Sequence, residues 1–304
     1  MTIKGRRIGE LLKKTGSEVL SDNVPGLAAQ SAYSFFFSLF PILLFLAPLF
    51  SIVGDEQKLV NGILTRLAAS LPPEAYLLLQ NVVRDVVFAE NAPGLMSVGI
   101  LLALFSGSAV VGTVMGALNE AYDVKDDRPW WKKRLLAVVF MLGAGFVIGF
   151  AMIVMFAGET VIGFLSNSFG WGTGTARVWT VIQYPLALSL FIGFMWLTYY
   201  FLPHVEQEKS HILVGSVCAV ILWVLITVGF RYYVVNFGAY NKTYGTIGGV
   251  IILLTWMYLT MFVVLVCGEL NSELHCGTGR VDGPSPAKSS ARLEQAAIAE
   301  RGRF

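Results

Sequence analysis

The chain has 304 residues, 55% of them hydrophobic and 14% charged, with a mean hydropathy of +0.66. A soluble domain carries about a quarter of its residues charged, so this balance excludes a water-soluble globule, a secreted disulfide scaffold and a disordered chain. A net charge of +2 provides no basic field for nucleic acid. Cys218, Cys267 and Cys276 lack CxxC spacing, and His204, His211 and His275 are too scattered for a histidine-rich metal site. No cofactor and no metal are expected.

Residues 1–27 form a basic N-terminal segment, expected to be cytoplasmic. Six apolar runs follow, at 28–54, 95–118, 135–158, 178–202, 212–235 and 246–268. Each approaches or exceeds the ~20 residues that cross a hydrocarbon core as helix. The expected fold is therefore all-α: a polytopic membrane domain over 28–275 with six transmembrane helices, then a polar, disordered tail over 276–304. The first run is too long for the apolar core of a signal peptide and has no convincing cleavage site.

The first span carries Pro41 and Pro48, which remove helical donors and free the carbonyls of Phe37 and Leu44. A broken or bent helix at membrane depth requires protein or a cavity around it, so Tyr33 and Pro41 are candidate cavity residues. Between the first two spans, residues 55–94 hold two moderately apolar stripes on either side of Pro72-Pro73. This pattern predicts an amphipathic helical hairpin at the outer membrane boundary. It would serve as a cap, a lid or a partner-docking surface. Gly112 with Gly116, and Gly145 with Gly149, have the GxxxG spacing that lets helix backbones approach closely.

After the second span come Asn119 and Tyr122, then Arg128-Pro129-Trp130-Trp131-Lys132-Lys133-Arg134. Aromatic rings beside cations suit the headgroup layer and an anionic lipid, so Arg128 and Lys132, with Trp131, Asn119 and Tyr122, form a candidate lipid or substrate site. Between spans five and six, residues 236–245 crowd tyrosines, amides and glycines into a turn. Asn236, Tyr240, Asn241, Tyr244 and Gly245 are candidate gate residues. Glu269 closes the last span and is a candidate anchor at its inner end. With the N-terminus inside, 16 of the 22 Lys and Arg fall in inner segments and 6 in outer ones. That asymmetry places both termini in the cytoplasm.

Ala29 to Pro41 (AQSAYSFFFSLFP), Asn119 with Tyr122 and Arg128-Pro129, Leu202-Pro203, and Asn236 through Glu273 (NFGAYNKTYGTIGG…WMY…GELNSE) together resemble the YihY / virulence factor BrkB family of bacterial inner-membrane proteins. The resemblance covers roughly residues 10–275. It departs from the family pattern at Trp130-Trp131, where a single aromatic is expected before the lysine. It implies a six-span protein of the inner membrane, linked to transport, serum resistance or envelope lipids. Some members have carried the label ribonuclease BN. Hydrolytic RNA cleavage needs a metal cluster or a positioned acid–base pair, which these residues do not spell, so no enzymatic role is expected. The expected activity is transport or lipid translocation, with membrane lipids as partners and envelope proteins or further copies of the chain as others. The alternative is a scaffold that recruits envelope partners through the 55–94 hairpin.

Overall fold

The computed structural model describes residues 2–3, 6–52, 64, 76–77, 80–81, 92–156, 174–237 and 240–276, with side chains left aside near several helix ends. Most of the 55–94 hairpin and the tail beyond Cys276 lie outside these residues. A two-residue ladder pairs β1 (Thr2–Ile3) antiparallel with β2 (Arg6–Arg7). Seven helices then make up the described fold: α1 (Ile8–Ser21), α2 (Val24–Ile52), α3 (Ala92–Ala121), α4 (Trp130–Phe156), α5 (Gly174–Phe201), α6 (Lys209–Phe237) and α7 (Tyr240–Cys276).

Helices α2 to α7 each overlap one of the six apolar runs. Among the described residues, five stretches on α3 to α7 are long and apolar enough to cross a membrane. Helix α2 is 29 residues long and carries no charged side chain. It runs through both Pro41 and Pro48, so the expected break at these prolines is not present as an interruption. Only 17–39% of each of the five windows is buried inside the protein. Large apolar side chains such as Leu101, Leu135, Phe146, Val181 and Leu225 face outward. In water this surface would be untenable; in a bilayer it meets hydrocarbon. Apart from the two-residue ladder, the described residues form the all-helical fold of a multi-pass membrane protein.

Consecutive helices from α3 to α7 pack side by side, α7 returns onto α3, and α2 lies against both α3 and α7. The main core sits where α3, α5 and α7 end and α2, α4 and α6 begin. It is built from Leu118, Phe140, Tyr199, Ile212 and Leu265, all buried. Tyr199 is fully buried on α5 and donates to the Val264 carbonyl of α7 at 2.7 Å. Amphipathic α1 covers this end, with Leu11, Thr15 and Val19 buried one helical turn apart. Lys14 binds Glu273 of α7 at 2.8 Å.

The glycines pack differently from the expectation. A Cβ at Gly112, Gly116, Gly145 or Gly149 would meet nothing within 4 Å beyond its own helix. None of the four marks a close helix–helix approach. The tight contacts occur elsewhere: a Cβ at Gly107 would overlap Met141, one at Gly268 would overlap Leu118, and one at Gly215 would overlap the Asn271 carboxamide. GxxxG spacing permits close approach but does not compel it. A neighbouring ridge must also be present, and none lies within 4 Å of a Cβ at Gly112 or Gly116.

Candidate functional site: a polar clasp and a groove between α3 and α4

Helix α3 ends in a Schellman turn. Asp123 adopts the left-handed conformation (φ 55°), its N–H bonds the Glu120 carbonyl at 3.0 Å, and the Val124 N–H bonds Asn119 O at 3.0 Å. The turn delivers Asp126 into the space between the α3 end, the α4 start and the α5–α6 connection. There its carboxylate is a hub. Arg128 Nε donates to Oδ1 and Nη2 to Oδ2, each at 2.8 Å, a bidentate pair. Asn119 Nδ2 donates to Oδ2 at 3.3 Å, while Lys133 Nζ and His204 Nδ1 lie 3.9 Å from Oδ1. Burial alone would raise the Asp126 pKa. Hydrogen bonds from the Arg128 side chain and amide, and the charges of Arg128 and Lys133, overcome it and hold the carboxyl below its ordinary range.

The clasp spans elements far apart in sequence. Arg128 also caps the end of α5, donating from Nη1 to Phe201 O at 3.3 Å and from Nη2 to Leu202 O at 2.6 Å. Asn119 Oδ1 accepts from the His204 N–H at 2.8 Å. Tyr122 donates to Gln207 Oε1 at 2.7 Å, and Gln207 Nε2 donates to Tyr199 O at 2.9 Å. Arg128, expected to hold an anionic headgroup, is thus committed to the protein's own carboxylate and carbonyls. Asn119 and Tyr122 likewise serve as ties. Asp126, His204 and Gln207, which composition and spacing did not single out, complete the network.

Beside the clasp, a cavity of about 350 Å³ lies between α3 and α4. Ser108, Gly112 and Gly116, one turn apart, line its α3 side with Met115 and Asn119, while Trp130, Lys133, Arg134 and Ala137 line its α4 side and Asp126 its end. The open glycines make the groove, because a side chain at either position would occupy it. Trp130 and Trp131 stand exposed at the rim, and Lys132 Nζ lies 5.4 Å from the Trp131 ring centroid. Lys132 and Trp131 are both exposed at the protein surface.

The remaining candidates do not join this site. Tyr33 is exposed on α2 with its ring 4.5 Å from that of Phe37, and Pro41 is half-buried on the same helix. Asn236 is exposed near the opposite end of the bundle and donates to Tyr232 O of its own helix at 2.7 Å. Tyr240, Asn241, Tyr244 and Gly245 belong to the first turns of α7, not to an open turn, and their side chains lie outside the described residues. Glu269 is not at a helix end: α7 continues to Cys276, and Glu269 is 1% exposed within it. It shares this stretch of α7 with buried Asn271, Ser272, Glu273 and His275.

A family model described as virulence factor BrkB matches residues 15–291. A Bacillus subtilis protein named ribonuclease-like protein YfkH is 31% identical over 249 residues, 82% of this chain and 89% of YfkH. Proteins named UPF0761 membrane protein are similar as well. That of Tolumonas auensis is 23% identical, covering 84% of this chain and 82% of its own. That of Aliivibrio fischeri is 25% identical, covering 92% and 86% respectively. No solved structure matches the chain.

Proposed function

Because the chain belongs to the virulence factor BrkB family of membrane proteins, we propose that it is a bacterial inner-membrane protein that binds an anionic lipid and carries it between leaflets. The supporting observation is the α3–α4 groove. It joins a glycine-floored, partly apolar trough to the cations Lys133 and Arg134, with exposed tryptophans at its rim. A trough with an apolar run and a charged end matches an amphiphile: the acyl chain takes the glycine face, and the headgroup takes the cations. The distribution of Lys and Arg supports a cytoplasmic location for the groove's charged end and for both termini.

The ribonuclease word in the name of YfkH is not carried to this chain. Cleaving a phosphodiester takes a metal cluster or a positioned acid–base pair. The three histidines and the acidic residues here show no motif of that kind. The scaffold alternative rests on the 55–94 stripes, which lie mostly outside the described residues.

The activity is tested by reconstituting the protein in vesicles with a fluorescent short-chain phosphatidylglycerol and a membrane-impermeant quencher. Protein-dependent exposure of the inner-leaflet pool is the expected result, and it should be lost in Gly112→Leu, which fills the groove. An inner pool as protected as in protein-free vesicles sinks the proposal of translocation.

A further inference from the structure

Within the groove, Arg134 is the side chain whose placement is hardest to explain structurally. It is the fifth residue of α4, yet its Nη2 reaches along the glycine face of α3 to donate to the Phe105 carbonyl at 2.8 Å. Its Cζ stands 4.3 Å from the Phe105 ring centroid. Phe105 lies sixteen residues before Ala121, roughly 24 Å along α3 at 1.5 Å per residue. The arginine therefore points away from the headgroup layer that its long side chain could reach, and toward the middle of an apolar helix. Among the described residues no carboxylate lies within 4 Å of it. The Phe105 carbonyl is already the acceptor of an α-helical turn. A neutral carbonyl and a ring face compensate a guanidinium only in part, and an ionisable group at membrane depth is costly unless paired or hydrated.

Nearby charges do not fill the gap. Asp126, the acid lining the cavity, is engaged bidentately by Arg128 and also faces Lys133. With that pair closed, the described lining residues carry a net positive charge on Arg134 and on Lys133, whose Nζ donates to the Asp126 carbonyl at 3.0 Å. Exposed Trp130 lines the groove, and exposed Phe105 lies against Arg134. Among the described residues Arg134 has no acidic partner, and the groove's open flank gives an amphiphile with an acidic head a route to it.

Resting on the lipid-handling reading above, we infer that the α3–α4 groove is a binding site for one acidic phospholipid, with its phosphate on Arg134 and an acyl chain over Gly112 and Gly116. Arg134 exchanges the Phe105 carbonyl for two phosphate oxygens, a geometry its planar guanidinium fits and a lysine fits less well. Lys133, at the cytoplasmic side of the groove, adds the second cation.

The experiment uses the full-length protein in discs of phosphatidylcholine titrated with phosphatidylglycerol. Native mass spectrometry counts the lipids retained per protein. The wild type is expected to retain one phosphatidylglycerol in preference to phosphatidylcholine. Arg134→Gln should weaken that retention by about tenfold or more, the worth of one charge-assisted contact. Arg134→Lys should fall between the two. Gly112→Leu, at a position with open space around it, should block the site without touching its charge. Arg231→Gln removes one cation from the exposed far end of α6 and should bind as the wild type does. Wild-type retention in both Arg134→Gln and Gly112→Leu overturns the site while leaving the broader lipid-handling reading standing. Equal losses in Arg134→Gln and Arg231→Gln also overturn it, because bulk charge would then explain the binding. No preference in the wild type itself overturns both.

Discussion

At the scale of residues, Asp126 does more for this fold than any cation around it. Its carboxylate gathers Arg128, Asn119, Lys133 and His204 from three separate stretches of chain. Replacing it by Ala would leave the Arg128 guanidinium largely shielded from water without its bidentate partner. A loss of about 2–3 kcal/mol is expected, in keeping with breaking a partly buried ion pair. Thermal unfolding in detergent should show a lower midpoint for Asp126→Ala, whereas an unchanged midpoint would mean the clasp is ornamental. The pH dependence has a definite sign. The carboxyl is held below its ordinary range, so its stabilisation is complete above that range and is lost as pH falls through the lowered value. The stability gap between wild type and Asp126→Asn should therefore stay constant from pH 8 to pH 5 and close only below about pH 4. Closure near pH 6 would place the control in another group.

The helices show why spacing alone misassigns glycines. Gly112 and Gly215 are both small residues inside long apolar helices, and nothing local distinguishes them. Packing does. A methyl group at Gly215 collides with Asn271, whose Oδ1 also accepts the Gly215 N–H at 3.0 Å, whereas one at Gly112 enters open space. Gly215→Ala should cost about 1–3 kcal/mol through overpacking. Gly112→Ala should be neutral or gain up to ~1 kcal/mol from helix propensity. Equal midpoints for the two variants would show that the α6–α7 contact yields more easily than its geometry implies. The helices themselves were legible from apolar run length, because crossing a bilayer fixes both composition and extent. Their ends were less so. Helix α7 begins at Tyr240 and extends to Cys276, beyond the apolar run at both sides. Polar residues such as Glu269 and Asn271 remain helical there because neighbouring helices and α1 cover them.

For the whole molecule, the basic aromatic segment at the α3–α4 connection is plain in the sequence, but how its cations are divided is not. Arg128 and Lys132 look alike as cations in a basic aromatic segment. The fold spends Arg128 on Asp126 and the α5 carbonyls, leaves Lys132 on Trp131 at the surface, and sends Arg134 into the groove. Those assignments depend on contacts across more than seventy residues, as between Arg128 and Leu202, and no local pattern encodes them. One end of the bundle is held by a connected polar network, and the adjacent groove is lined by Lys133 and Arg134, the two cations assigned to a lipid headgroup in the proposal above. On that proposal, this groove selects an anionic lipid. The most direct test assumes no substrate: purify the protein in native-lipid discs, and quantify its bound lipids by mass spectrometry beside an unrelated multi-span protein. Selective enrichment of one acidic phospholipid is the result expected here. A lipid profile indistinguishable from that of the control would contradict the claim.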